Sequence, residues 1–189
     1  MSESSEPPSS DSAVIAGLLL LASPTMDDPN FSRTVIFMAA HSQKDGAFGY
    51  ILNRPLEQRV GDLLPEQELG ALGQVPVFMG GPVATDKLAF AALHWNKRKS
   101  TLRCQTHLSV PDALKALKLG HEVRGFVGYS GWTGGQLENE IQRRSWITAK
   151  ARPLVLTLAT PEDLWGAILH DMGPTFGLMA GVPEKVQWN

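Results

Sequence analysis

Residues 124–146, RGFVGYSGWTGGQLENEIQRRSW, hold two periodicities joined by glycines. The first half, Arg124 to Tyr129, is a short apolar and aromatic run bounded by turn residues, which predicts a buried strand. Gly131, Gly134 and Gly135 then let the backbone turn sharply through positive φ. From Gln136 the period changes. Leu137 and Ile141 lie four apart on one helical face, with Glu140 in reach of Arg143 or Arg144. The unit reads as strand, glycine turn and helix, with Trp132 at the corner.

Five glycines in this region raise the question of a phosphate loop. Their spacing (128, 131, 134 and 135 after 125) fits neither G-x-G-x-x-G nor G-x(4)-G-K-[ST]. Glu138 and Glu140 also occupy the first turns of the helix and would repel a phosphate there. Ser130 sits on a strand-to-helix turn, but Trp132 replaces the second glycine of a nucleophile elbow. The corner therefore reads as packing rather than catalysis.

The run GYSGWTGGQLENEI resembles the signature of the YqgE/AlgH family, bacterial proteins with no established biochemical activity. Three further stretches resemble it in order: SPTMDDPNFSRTV (Ser23–Val35), GAFGYILNRP (Gly46–Pro55) and FMGGPV (Phe78–Val83). The family commonly carries alanine where this chain has Ser130, which further weakens that hydroxyl as a nucleophile. Leu88-Ala-Phe90 departs from an Arg-Gly-Phe-like pattern of many members. The resemblance implies a mixed α/β fold and a transcriptional-regulator label, and supplies no reaction.

Outside these stretches the chain has an ordinary globular balance, 43% apolar and 19% charged. At 189 residues one domain, residues 13–189, is expected, after a disordered, Ser-, Glu- and Pro-rich tail at residues 1–12. A net charge of −2 argues against direct nucleic-acid binding. The single cysteine, Cys104, fits buried filler in a reducing compartment. The apolar run Ala13 to Ala22 is too short to span a bilayer and lacks the basic flank of a signal peptide. A soluble, cytoplasmic protein without membrane attachment is expected.

Strands are predicted at Leu18–Leu21, Thr34–Ala40, Ala47–Leu52, Pro76–Met79, Ala89–His94, Leu102–Leu108 and Leu154–Leu158, with Thr34–Leu52 forming a hairpin. Helices are predicted from a Ser109 cap to a Gly120 stop, and after Thr160-Pro161. Short helical turns flank Pro65. Hairpins early and β-α-β-α order late give an α/β (α+β) fold, a mixed β-sheet with helices packed against it.

No pair of the five histidines has metal-ligand spacing, so neither metal nor cofactor is expected. Asp28 and Arg33 flank a loop where a carboxylate and a guanidinium can pair. His41 ends a strand beside a turn, and Asn53-Arg54 closes a hairpin. With Trp132 these residues form the candidate pocket: Asp28, Arg33, His41, Asn53, Arg54 and Trp132, on three loops expected to converge at one end of the sheet. The reading is of a non-catalytic binding or regulatory module for a small molecule or a protein partner. Two alternatives stand beside it: a DNA-binding transcriptional regulator, and a small hydrolase or transferase using Asp28, Arg33, His41 and Asn53.

Overall fold

The computed structural model describes residues 15–65 and 68–181, and the tail expected at residues 1–12 lies outside them. In chain order the elements are β1 (Leu18–Ala22), β2 (Val35–Ser42), β3 (Gly46–Ile51), β4 (Pro55–Arg59), α1 (Val60–Leu63), β5 (Pro76–Met79), β6 (Val83–Asn96), β7 (Thr101–Gln105), α2 (Val110–Lys118), β8 (Glu122–Trp132), α3 (Gln136–Gln142), β9 (Trp146–Lys150), α4 (Leu154–Thr157), α5 (Leu164–Asp171) and α6 (Pro174–Ala180). Short 3-10 turns occupy Gly70–Gln74 and Pro161–Asp163.

The strands form one mixed sheet of order β4-β5-β8-β3-β2-β1-β9, with β6 also on β8 and β7 on β6. This is the α/β architecture expected from the sequence. β8 is shared by both halves of the sheet. Its first part runs parallel to β5, with Phe78 opposite Phe126, and antiparallel to β6, with Phe90 opposite Gly125. Its last three residues pair antiparallel with β3, setting Ala47 opposite Trp132. Gly128 marks the change of partner: its φ is +68°, and a Cβ there would lie 2.3 Å from the Gly81 carbonyl oxygen. Only glycine permits both.

Side chains alternate across β1 and β2 as strand geometry requires. Leu19, Leu21, Val35 and Phe37 enter a central core with Phe126 and, from α5, Trp165, Ile168 and Leu169. Leu20, Ile36 and Met38 face the other way and pack with Trp132, Leu137 and Trp146. A third cluster lies under α2, where Ala113 and Ala116 meet Val77, Phe90 and Val123. Each fully buried side chain of this kind stabilises the fold by roughly 1.5–3 kcal/mol. Ser109 caps α2 as predicted, its Oγ accepting from the Asp112 N–H at 3.2 Å.

The hairpin of β2 and β3 forms as expected. One expectation is corrected. Leu154–Leu158 is not a strand, because Leu154–Thr157 forms the short helix α4, entered through Pro153 at φ −55°. A brief apolar run has no period that separates strand from buried helix, and the proline presets the helical torsion. The strand of this region lies earlier, at Trp146–Lys150, on the far side of β1. The late β-α-β-α order holds, with β9 as its second strand.

Candidate functional site

Asn53, 5% exposed, is held between strands by both ends of its amide. Its Oδ1 accepts from the Val35 N–H at 2.8 Å, and its Nδ2 donates to the Arg33 carbonyl at 2.9 Å. Arg54 spreads its guanidinium over the same loop and donates to the carbonyls of Asn30, Pro29 and Ser32 at 2.7, 3.0 and 3.2 Å. Burial lowers the Arg54 pKa from its ordinary value, and the charge of Asp28 opposes this. The Asp28 carboxylate itself accepts from the Asn30 N–H at 2.8 Å, closing a local Asx turn. Arg33 takes a left-handed φ of +54° and lays its guanidinium 5.4 Å from the centre of the Trp165 ring. Asp28, Arg33, Asn53 and Arg54 are thus brought together as a polar clamp on the loop before β2.

Trp132 meets that loop through Phe31, whose ring centroid is 6.4 Å from its own. Trp146 completes the aromatic triangle at 5.5 Å from Phe31 and 5.9 Å from Trp132. One carboxylate oxygen, Oε2 of Glu140, accepts both indole N–H groups at 2.8 Å, and Oε1 accepts from Gln136 Nε2 at 2.9 Å. Glu140 therefore turns inward to the indoles rather than pairing with Arg143 or Arg144. A desolvated indole donor outcompetes an exposed ion pair for a carboxylate. His41 stands beside α3, its Nε2 2.8 Å from Glu138 Oε1.

A cleft opens on the other side of this corner. It has a volume of about 580 Å³ and lies between the start of β3, the end of β8, the start of α3 and His107. Gly46 is one of its lining residues, at φ +105°, and a Cβ there would sit 2.2 Å from the Trp132 carbonyl oxygen. Trp132 borders the cleft, but its ring, 7% exposed, belongs to the core cluster with Leu137 and Trp146. The aromatic lining is instead Phe48, with Tyr129 edge-on at 6.2 Å and His107 at 5.7 Å between ring centroids. Asp45, Thr133 and Gln136 supply polar groups at its rim. His107 is exposed and held at φ +55°, a conformation that costs about 1–2 kcal/mol in a residue other than glycine.

Sequence reasoning passed over Phe48, Tyr129 and His107. The available signal was composition: Phe48 and Tyr129 are each followed or preceded directly by a glycine. Ser130 is fully buried and donates to the Gly80 carbonyl at 3.1 Å, so it is a strand residue. Burial pushes the Cys104 thiol up to about 12, against the opposing charge of Arg124, which leaves it protonated and inert at neutral pH. Among the described residues no three His, Cys, Asp or Glu side chains gather as a metal site, and no helix is long and apolar enough to cross a membrane.

The sequence profile of the AlgH-like family matches residues 19–177. A UPF0301 protein of Mycobacterium avium is 36% identical over 93% of this chain and 92% of its own length. A UPF0301 protein of Mycobacterium leprae is 35% identical over 93% of this chain and 91% of its own. The solution structure of the AlgH protein from Pseudomonas aeruginosa superposes with a TM-score of 0.65 at 27% identity, covering 95% of this chain and all of that one, 100%. A crystal structure of a Corynebacterium diphtheriae protein matches at a TM-score of 0.68 over 96% of this chain and 95% of that one, and at 22% identity shares the fold.

Proposed function

The chain belongs to the AlgH-like family, and from that premise we propose that it is a non-catalytic binding module whose cleft at the glycine corner receives a small, planar, ring-bearing molecule. The observation that carries this reading is the trio of Phe48, Tyr129 and His107 around an open volume of about 580 Å³. Rings left accessible beside a few rim groups (Asp45, Thr133, Gln136) match the makeup of small-molecule sites, apolar walls with sparse orienting polar atoms. A flat ring can stack or meet these side chains edge-on, gaining about 0.5–1.5 kcal/mol per pair beyond area burial. The polar residues that suggested catalysis favour the same reading. Asn53 bonds Val35 and Arg33, Asp28 closes its own turn, His41 meets Glu138, and Arg33 lies over Trp165, so each of the four has a contact within the fold. Any regulatory role would then follow from ligand occupancy rather than from reading DNA.

The test uses the full chain labelled with nitrogen-15 and titrated with adenine, nicotinamide and indole. Binding should shift amide signals of Gly46–Phe48 and Tyr129–Thr133, and Phe48→Ala should abolish the shifts. Absence of saturable shifts up to about millimolar probe, a range where even weak fragments register, would count against the reading. So would shifts confined to residues 28–33 and 53–54.

A further inference from the structure

A second cleft, of about 490 Å³, lies between β7 and the ends of β1 and β9. It runs along five consecutive residues from Lys99 to Arg103, leading into and along β7, and is faced by Gly17, Leu18, Lys150 and Ala151. Among the described residues β7 has β6 as its one strand neighbour, and β9, which ends in Lys150, has only β1. Both strands are therefore sheet edges, whose outer main-chain N–H and C=O groups can pair with an added strand.

The charge here is concentrated. Lys97, Arg98, Lys99, Arg103, Lys150 and Arg152 are six of the chain's 17 cations. Neither Trp95–Gln105 nor Ile147–Leu154 contains an acid, and the nearby Asp171 is already paired with Arg152 at 2.6 Å. Arg103 and Lys150 are exposed, on strands whose alternate residues face the core. A protein with a net charge of −2 thus keeps one cationic edge. Among the described residues no aromatic side chain lines the cleft, and the adjoining hollow that shares Ser100 and Lys150 has one, Trp95, short of the row of stacking rings that binds single-stranded nucleic acid.

We propose that this edge docks an extended acidic segment of a partner protein, which adds as a strand to β7 while its carboxylates meet Lys99, Arg103 and Lys150. Main-chain hydrogen bonds to the edge would give affinity, and the cations would select sequence and register. The site is separate from the aromatic cleft, so either can fail without the other.

The experiment is fluorescence anisotropy on the full chain with a labelled peptide of about ten residues alternating Glu and Val, near physiological ionic strength. Saturable binding is expected. The Arg103→Glu/Lys150→Glu double variant should weaken it about tenfold or more, since two attractions become repulsions. Its melting temperature should stay within about 2 °C, because both positions are exposed. Should that variant fold poorly, Lys150→Gln alone should weaken binding severalfold. Replacing every Val by Pro removes the peptide's alternate N–H donors and should abolish binding. Equal binding of the proline peptide, no saturation at about millimolar peptide, or tighter binding of a thymidine oligonucleotide would each overturn the proposal. So would markedly tighter peptide binding after deletion of residues 1–12. That result would assign the edge to the chain's own acidic segment, with Glu3, Glu6 and Asp11 and no basic residue.

Discussion

Two polar-aromatic regions flank the same corner and use their side chains oppositely. In the clamp, the groups of Asn53 and Arg54 close onto main-chain atoms of residues 29–35. In the cleft, Phe48, Tyr129 and His107 surround open space. Each region also holds one non-glycine residue at positive φ, Arg33 in the clamp and His107 in the cleft. The strain at Arg33 is answered by internal contacts, namely its carbonyl on Asn53 and its guanidinium over Trp165. Among the described residues His107 makes one ring contact, the tilted one with Phe48, and it stays exposed beside the cleft. Fully satisfied polar groups mark construction, whereas exposed and strained ones mark a place where something else can bind.

The substitution with the largest expected effect tests whether Trp132 belongs to the core or to the cleft. Trp132→Ala should destabilise the protein by about 3–5 kcal/mol in urea unfolding, because a buried ring is lost and Glu140 loses a donor. If stability held while fragment binding vanished, the ring would have to be reassigned to the cleft. Next comes Asn53→Ala, which strands the Val35 N–H and the Arg33 carbonyl. Each orphaned buried group costs about 1–3 kcal/mol, so a loss of about 2–4 kcal/mol is expected. Asn53→Asp should not recover the loss, since its second oxygen would face the Arg33 carbonyl as a second acceptor and bring a charge into a buried site.

The sequence made the strand, turn and helix of residues 124–142 legible because glycine torsions and a change of period are local properties. It also brought together Asn53, Arg54 and the loop 28–33 as one candidate group, since turn-forming residues cluster where strands end. What those groups face could not be read. Whether Arg54 meets a ligand or three carbonyls depends on how residues 29–32 fold back, a contact across more than twenty positions. The aromatic cleft was hidden for a similar reason. Phe48 and Tyr129 look like core residues in any strand pattern, and only the pairing of β3 with the end of β8 leaves them at an opening. Leu154–Leu158 failed differently, through too short a run for periodicity to decide.

Arg54→Ala should have a moderate effect, about 1–2 kcal/mol. Its carbonyl partners lie partly exposed and water can replace some of the bonds. A concurrent rise in loop mobility is expected, read as faster amide exchange at Phe31, Ser32 and Thr34, whose N–H groups bond within the loop. Unchanged exchange there would mean that the loop is held by its aromatic contacts instead.

The smallest expected effect discriminates best. Glycine adopts φ near +55° without the penalty of about 1–2 kcal/mol that His107 carries, and gives back about 0.5–1 kcal/mol in chain entropy. Loss of the contact with Phe48 offsets most of the remainder, so His107→Gly should change stability by no more than about 0.5 kcal/mol. Binding of the planar fragment should nevertheless fall severalfold, because one of its three ring partners is gone. Arg33→Gly reverses the pattern. The same relief of φ is accompanied by loss of the cation over Trp165, worth about 0.5–1 kcal/mol, with no change in fragment affinity. Stability and affinity measured on this pair therefore separate the two regions. If His107→Gly cost more than about 2 kcal/mol and left affinity untouched, His107 would be a structural residue like Arg33, and the cleft would lose its claim to be a site.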